Sequence, residues 1–169
     1  MDELLESQIG SLLRASGRKL ATAESCSGGL IGHRLTNIPG SSDYYLGGVI
    51  AYAYEIKVAL LGVSWDTLNK FGAVSRETVL EMARGARKLL RADIAVSVSG
   101  IAGPGGGLPG KPVGTTWLGL CAADGEWARV FCFPGEREQN KAFAADAALR
   151  FVYDYLQGGR SLEAGRSNR

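Results

Sequence analysis

The chain is poor in the residues from which many hydrolases and metal enzymes are built. One histidine, His33, stands among 169 residues. A Ser-His-Asp triad is therefore excluded unless His33 is its base, and a His-rich metal site has no material. Three cysteines, Cys26, Cys121 and Cys132, are an odd number without metal-ligand spacing, which fits a reducing cytoplasm. An excess of one charge is missing too: nineteen basic against seventeen acidic residues leave +2, too balanced for a surface that binds nucleic acid or an anionic membrane. No apolar run approaches the ~20 residues of a transmembrane helix. The acidic, amphipathic start Met1-Asp2-Glu3-Leu4-Leu5-Glu6 is not a signal peptide. These absences predict a cytoplasmic protein with no metal, no membrane partner and no nucleic-acid partner.

What is present is apolar residues and glycine. The chain is 46% hydrophobic, enough to bury the core of one domain over residues 1–157, with a disordered polar tail expected at 158–169. Twenty-four glycines are about 14% of the chain, against a usual ~7%. They gather around a few loops, where left-handed backbone or close approach to a ligand is needed.

Hydrophobic spacing predicts a helix over 2–16, a buried strand over 19–24 and a second helix opened by Gly28-Gly29 and ending near Thr36. A strand over 45–52, a short helix over 55–61 and another after Ser64 follow. Ser75 is a suitable N-cap for a long helix reaching Arg91, with Glu77 in its first turn where the dipole favours an acid. Residues 93–99 read as a strand, and 113–122 and 127–133 as a hairpin around Ala123-Asp124-Gly125-Glu126. A last helix covers 136–156. Alternating strands and helices with one hairpin indicate an α/β fold: a three-layer α/β/α sandwich with a mixed β-sheet.

Three places carry possible chemistry. Ser25, in Thr22-Ala23-Glu24-Ser25-Cys26-Ser27-Gly28-Gly29, lies at a strand-to-helix turn, where free N–H groups can hold an anion or an oxyanion. The plainer alternative is that Ser25 or Ser27 only caps the helix, and Cys26 reads as a small buried residue. Tyr54 and Lys57 are three residues apart, so on a helix they share a face, and a buried lysine can replace the missing histidine as a base. A solvated lysine beside a packing tyrosine is the alternative. The loop Ser99-Gly100-Ile101-Ala102-Gly103-Pro104-Gly105-Gly106-Gly107 ends a strand, the usual ligand edge of an α/β sheet. Gly105 to Lys111 has P-loop spacing, but Pro112 replaces the Ser/Thr that binds magnesium. The dinucleotide pattern Gly105-x-Gly107-x-x-Gly110 leads into a strand rather than a helix.

Together these pieces resemble the CinA C-terminal domain family, the nicotinamide-nucleotide amidases, over residues 4–156. The resemblance rests on Ala23-Glu24-Ser25-Cys26-Ser27-Gly28-Gly29-Leu30, Pro39-Gly40-Ser41-Ser42, Gly47-Gly48-Val49, Tyr54-x-x-Lys57, Leu61-Gly62-Val63, the loop from Ser99 to Gly106 and Lys111-Pro112-Val113-Gly114-Thr115. It implies the three-layer fold and hydrolysis of the carboxamide of nicotinamide mononucleotide to nicotinate mononucleotide and ammonia, without metal or cofactor. Matched onto this chain, Ser25 is the nucleophile, Lys57 the base and Tyr54 an assistant. N–H groups of Ser27, Gly28 and Gly29 are expected to face the oxyanion. Gly100, Ile101, Ala102, Gly103, Gly105 and Gly106 are expected to shape the nucleotide pocket, and Lys141 to meet the phosphate. The chain departs from the family at Ser27, where threonine is usual, and at Asn140-Lys141-Ala142-Phe143, where active members tend to carry arginine and glutamine. It is expected to be a stand-alone form without the molybdopterin-binding-like domain of many members, and a homodimer. A nucleotide-binding or regulatory homologue without turnover, and an amidase for another small substrate, are the competing functions.

Overall fold

The structure, a computed structural model, describes residues 4–158. The tail expected to be disordered lies, from residue 159 on, outside the described residues, as do the first two residues of the expected first helix. In chain order the elements are α1 (Leu5–Ser16), β1 (Leu20–Glu24), α2 (Leu30–Thr36), a 3₁₀ turn (Ser41–Asp43), β2 (Tyr45–Ile50), α3 (Tyr54–Leu61), α4 (Trp65–Phe71), α5 (Arg76–Leu90), β3 (Ile94–Gly100), β4 (Thr115–Ala122), β5 (Gly125–Cys132) and α6 (Arg137–Leu156).

The five strands form one mixed sheet in the order β2-β1-β3-β4-β5. β1 runs parallel to β2 and β3, and β4 runs antiparallel to β3 and β5. Strand periodicity sorts the side chains into two unlike faces. Leu20, Ile94, Val96 and Val98 pack with Ile9 and Leu13 of α1, Ile31 and Leu35 of α2, and Phe151 of α6. The alternate positions Ala21, Ala23 and Ala95 pack with Leu61, Leu68, Met82 and Ala86 of α3 to α5. Helices thus cover both faces, as the predicted three-layer sandwich requires.

Small residues on the second face let α5 lie close to the sheet. A Cβ on Gly119 would stand 2.5 Å from the Val79 carbonyl oxygen, so the approach depends on its absence. The same device joins α3 to α5, since a Cβ on Gly85 would stand 1.9 Å from the Leu61 oxygen. That contact sets where α3 sits, and α3 carries Lys57.

Several boundaries move. The helix expected from residue 55 starts at Tyr54. The hairpin loop is only the two residues Ala123 and Asp124, so β5 begins at Gly125. Ser75 caps α5 as predicted, its hydroxyl accepting from the Thr78 N–H. Glu136 and Gln139 close a reciprocal capping box at the start of α6.

Candidate active site

The carboxyl ends of the three parallel strands, at Glu24, Ile50 and Gly100, meet on one edge of the sheet, the edge where ligands bind in such folds. Ser25 continues β1 by one rung, its N–H donating to the Val98 carbonyl at 3.0 Å. The chain then turns sharply into α2. Gly28 at φ 63° and Gly29 at φ 100° adopt left-handed conformations that a side chain would strain.

Glu24 organises this turn. It is buried, and its Oε2 accepts from the Ser27 hydroxyl at 2.6 Å, the Gly29 N–H at 3.0 Å and the Ile31 N–H at 3.1 Å. Oε1 accepts from the Gly32 N–H at 2.9 Å. The positive end of α2 is thus already filled by a carboxylate from the preceding strand. The Gly28 N–H is also engaged, donating to the Ser25 carbonyl at 3.1 Å. Of the three amides expected to face an oxyanion, those of Gly28 and Gly29 are therefore spent inside the turn. The Ser27 amide, which leans on the Cys26 sulfur, is the one left.

Lys57 is 1% exposed, and its Nζ lies 3.0 Å from Ser25 Oγ, 2.6 Å from the Ala51 oxygen and 3.0 Å from the Tyr52 oxygen. Burial pulls its pKa down to about 8, opposed by the neighbouring Cys26 sulfur. The three partners suit both protonation states. A charged ammonium donates to all three, whereas a neutral amine donates to the two carbonyls and turns its lone pair to the Ser25 hydroxyl. A proton can therefore pass from Ser25 to Lys57 without rearranging the amine. Cys26 is no rival nucleophile, because burial pushes its thiol up to about 12.

The structure does not bring Tyr54 to this pair. Tyr54 is the first residue of α3, half-exposed and 6.5 Å from the Trp65 ring, and its hydroxyl accepts from the Ala73 N–H at 3.4 Å. Among the described residues it has no hydrogen bond to Ser25 or Lys57.

Lys141 does reach the turn: its Nζ lies 3.8 Å from where a Cβ on Gly28 would be. Gly100 packs against Cys26, with 3.1 Å between its ideal Cβ position and the sulfur. Ile101 exchanges backbone hydrogen bonds with Thr115 and Gly114, and Gly106 borders the Ile101 side chain. Gly105 has open space around it.

Sequence reasoning missed Glu24, Tyr52, Arg137 and the role of Asn140. Arg137 donates to the Gly103 oxygen at 2.7 Å and to the Tyr52 hydroxyl at 3.0 Å. Its signal was available, since a cation in the first turn of a helix faces the wrong end of the dipole and needs another purpose. Asn140 is buried; its amide donates to the Ala102 and Gly135 oxygens and its oxygen accepts from the Gly135 N–H. It fastens the glycine loop to α6. Phe143 leans instead on Phe133, 5.6 Å away. Of the segment 140–143, Lys141 is thus the side chain beside the turn. No group of three or more His, Cys, Asp and Glu side chains stands together among the described residues, and none of their helices is long and apolar enough to cross a membrane.

Residues 2–156 match the CinA C-terminal domain family. A CinA-like protein of Salinibacter ruber is 49% identical over 148 residues, covering 88% of this chain and 36% of that protein. A CinA-like protein of Thermotoga neapolitana is 44% identical over 166 residues, covering 98% of this chain and 39% of that protein. The chain thus spans less than two fifths of the length of these curated relatives. Among solved structures, competence damage-inducible protein A of Klebsiella pneumoniae superposes with a TM-score of 0.88 at 36% identity, covering 91% of this chain and 96% of that one. The competence/damage inducible protein CihA of Agrobacterium tumefaciens gives 0.86 at 40% identity, covering 90% and 93%.

Proposed function

The chain belongs to the CinA C-terminal domain family, and from that premise we propose that it is a serine amidohydrolase cleaving the carboxamide of nicotinamide mononucleotide. The observation that carries the reading is the buried contact of Lys57 Nζ with Ser25 Oγ at 3.0 Å.

Neutral Lys57 takes the Ser25 proton as Oγ attacks the carboxamide carbon. The oxyanion of the tetrahedral intermediate faces the Ser27 amide, with the Cys26 amide beside it, the position that follows the nucleophile in comparable turns. On collapse the C–N bond breaks, and Lys57 returns the proton to the departing ammonia. Water, deprotonated by Lys57, then cleaves the acyl ester and releases nicotinate mononucleotide and free Ser25. No step needs a metal. Lys141 and Arg137, one turn apart on α6, offer positive charge for the phosphate, and Tyr54 and Tyr52 on the rim flank the entry.

Ammonia release from nicotinamide mononucleotide by the wild type, set beside Ser25→Ala, tests the assignment. Release that disappears in the variant supports it. Folded wild type that binds the nucleotide without releasing ammonia would instead be a binding homologue. Serine-dependent release from amides lacking the phosphate, at equal efficiency, would mark a different substrate.

A further inference from the structure

The molecule carries a second concentration of positive charge at the pole opposite Ser25. Arg84, Arg87 and Lys88 recur along α5 at helical spacing, Arg91 caps its C-terminus, and the four line one cavity of about 520 Å³ with Ala92, Cys121, Ala122 and Glu126. The cavity opens where β3 begins and β4 ends, since Ile94 pairs with Ala122. Ser25 follows β1 at the other end of the same strands, about 20 Å away at ~3.3 Å per strand residue.

Four features distinguish this cluster from a solvated helix face. Its lining gathers four cations against one carboxylate, with Glu81 also near Arg84, in a chain whose whole net charge is +2. Two of its guanidinium groups are held by their Nε–H alone: Arg84 donates to Glu126 at 2.6 Å and Arg87 to the Asp93 oxygen at 3.0 Å. Among the described residues no acceptor meets their terminal nitrogens or the side chains of Lys88 and Arg91. The helix dipole favours Arg87 and Lys88 in the last turn and Arg91 at the C-cap, but does not account for Arg84. Finally, Arg91 sits at φ 52°, the one non-glycine residue with positive φ among the described residues. Glycine or asparagine takes that position more readily, so an arginine held there is an outlier that points to a use.

We propose that this cavity binds a small polyphosphate-bearing molecule, such as a nucleoside diphosphate or triphosphate, at a site separate from the candidate active site. Forked guanidinium groups suit phosphate oxygens, and the volume lies within the range of small-molecule sites. A nucleic-acid backbone fits less well, because the basic character is confined to one cavity of a nearly neutral chain.

The experiment is calorimetric titration of the full chain with inorganic tripolyphosphate at 50 and 200 mM salt. The wild type is expected to bind, more weakly at the higher salt. Lys88→Gln/Arg91→Gly is expected to weaken binding at least tenfold, with the melting temperature unchanged or raised because glycine suits the left-handed position. Lys88→Gln alone gives a smaller loss in the same direction. Arg137→Ala, changed at the other pole, keeps the affinity. Absence of binding, an affinity unmoved by the double variant or lost in Arg137→Ala, or tighter binding of an oligonucleotide than of tripolyphosphate would each overturn the proposal.

Discussion

At the scale of single residues, the site depends on two buried polar groups with opposite tasks. Lys57 lies where its charge is disfavoured, which makes it a usable base. Glu24 accepts from four donors, so it acts as a fixed peg for the turn that presents Ser25. In Glu24→Gln one amide nitrogen must face a backbone N–H. The expected cost is about 2–4 kcal/mol in denaturant unfolding, given that hydrogen bonds to charged groups contribute roughly twice as much as neutral ones. An unfolding midpoint equal to wild type would remove Glu24 from its assigned role. Cys26→Ala should retain most of the activity, and thiol-directed reagents should leave the enzyme working near neutral pH, because a thiol pushed to about 12 carries almost no thiolate there. Inactivation traced to Cys26 labelling would contradict the reading of Cys26 as a packing residue. Tyr54→Phe removes a hydroxyl that reaches the Ala73 N–H rather than Lys57. Its effect is expected mainly in KM, and a loss confined to kcat would place the hydroxyl in proton transfer.

At the scale of elements, the motif-bearing turns and most helix limits could be read from local signals, because caps and periodicity act over a few residues. Ser75 before α5 and Ser64 before α4 are such cases, each accepting from an N–H three residues on. The direction of Tyr54 could not be read that way. Spacing placed it on the face of Lys57, but the helix starts at Tyr54, so its ring answers to Trp65 and Ala73 instead. Arg137 escaped for a related reason, since its partners, Gly103 and Tyr52, lie 34 and 85 residues away in the chain. Glycines that permit element contact were equally silent. Gly85→Ala drives a Cβ into the Leu61 carbonyl and must displace α3 from α5. Overpacking of this kind costs ~1–3 kcal/mol, and here it also shifts Lys57. The expected result is a lower melting temperature together with reduced activity. Full activity in a normally stable variant would show that α3 tolerates the displacement.

At the scale of the whole molecule, the mixed sheet separates two poles. One presents Ser25 and Lys57 where the parallel strands end, with Arg137 and Lys141 near the opening. The other gathers the cations of α5. Large aliphatic side chains fill one face of the sheet and alanines and glycine the other, so α5 lies close and both ends of the strands are held in register. The central claim is that burial makes Lys57 the base for Ser25, and the dependence of kcat/KM for ammonia release on pH tests it most directly. With a base titrating near 8, only about a tenth of the enzyme is active at pH 7. The rate is expected to rise tenfold per pH unit below 8 and level off above it, and Lys57→Met to lose roughly 10²–10⁴-fold throughout. A flat profile from pH 6 to 10, or a Lys57→Met variant that keeps the wild-type rate, would contradict the claim.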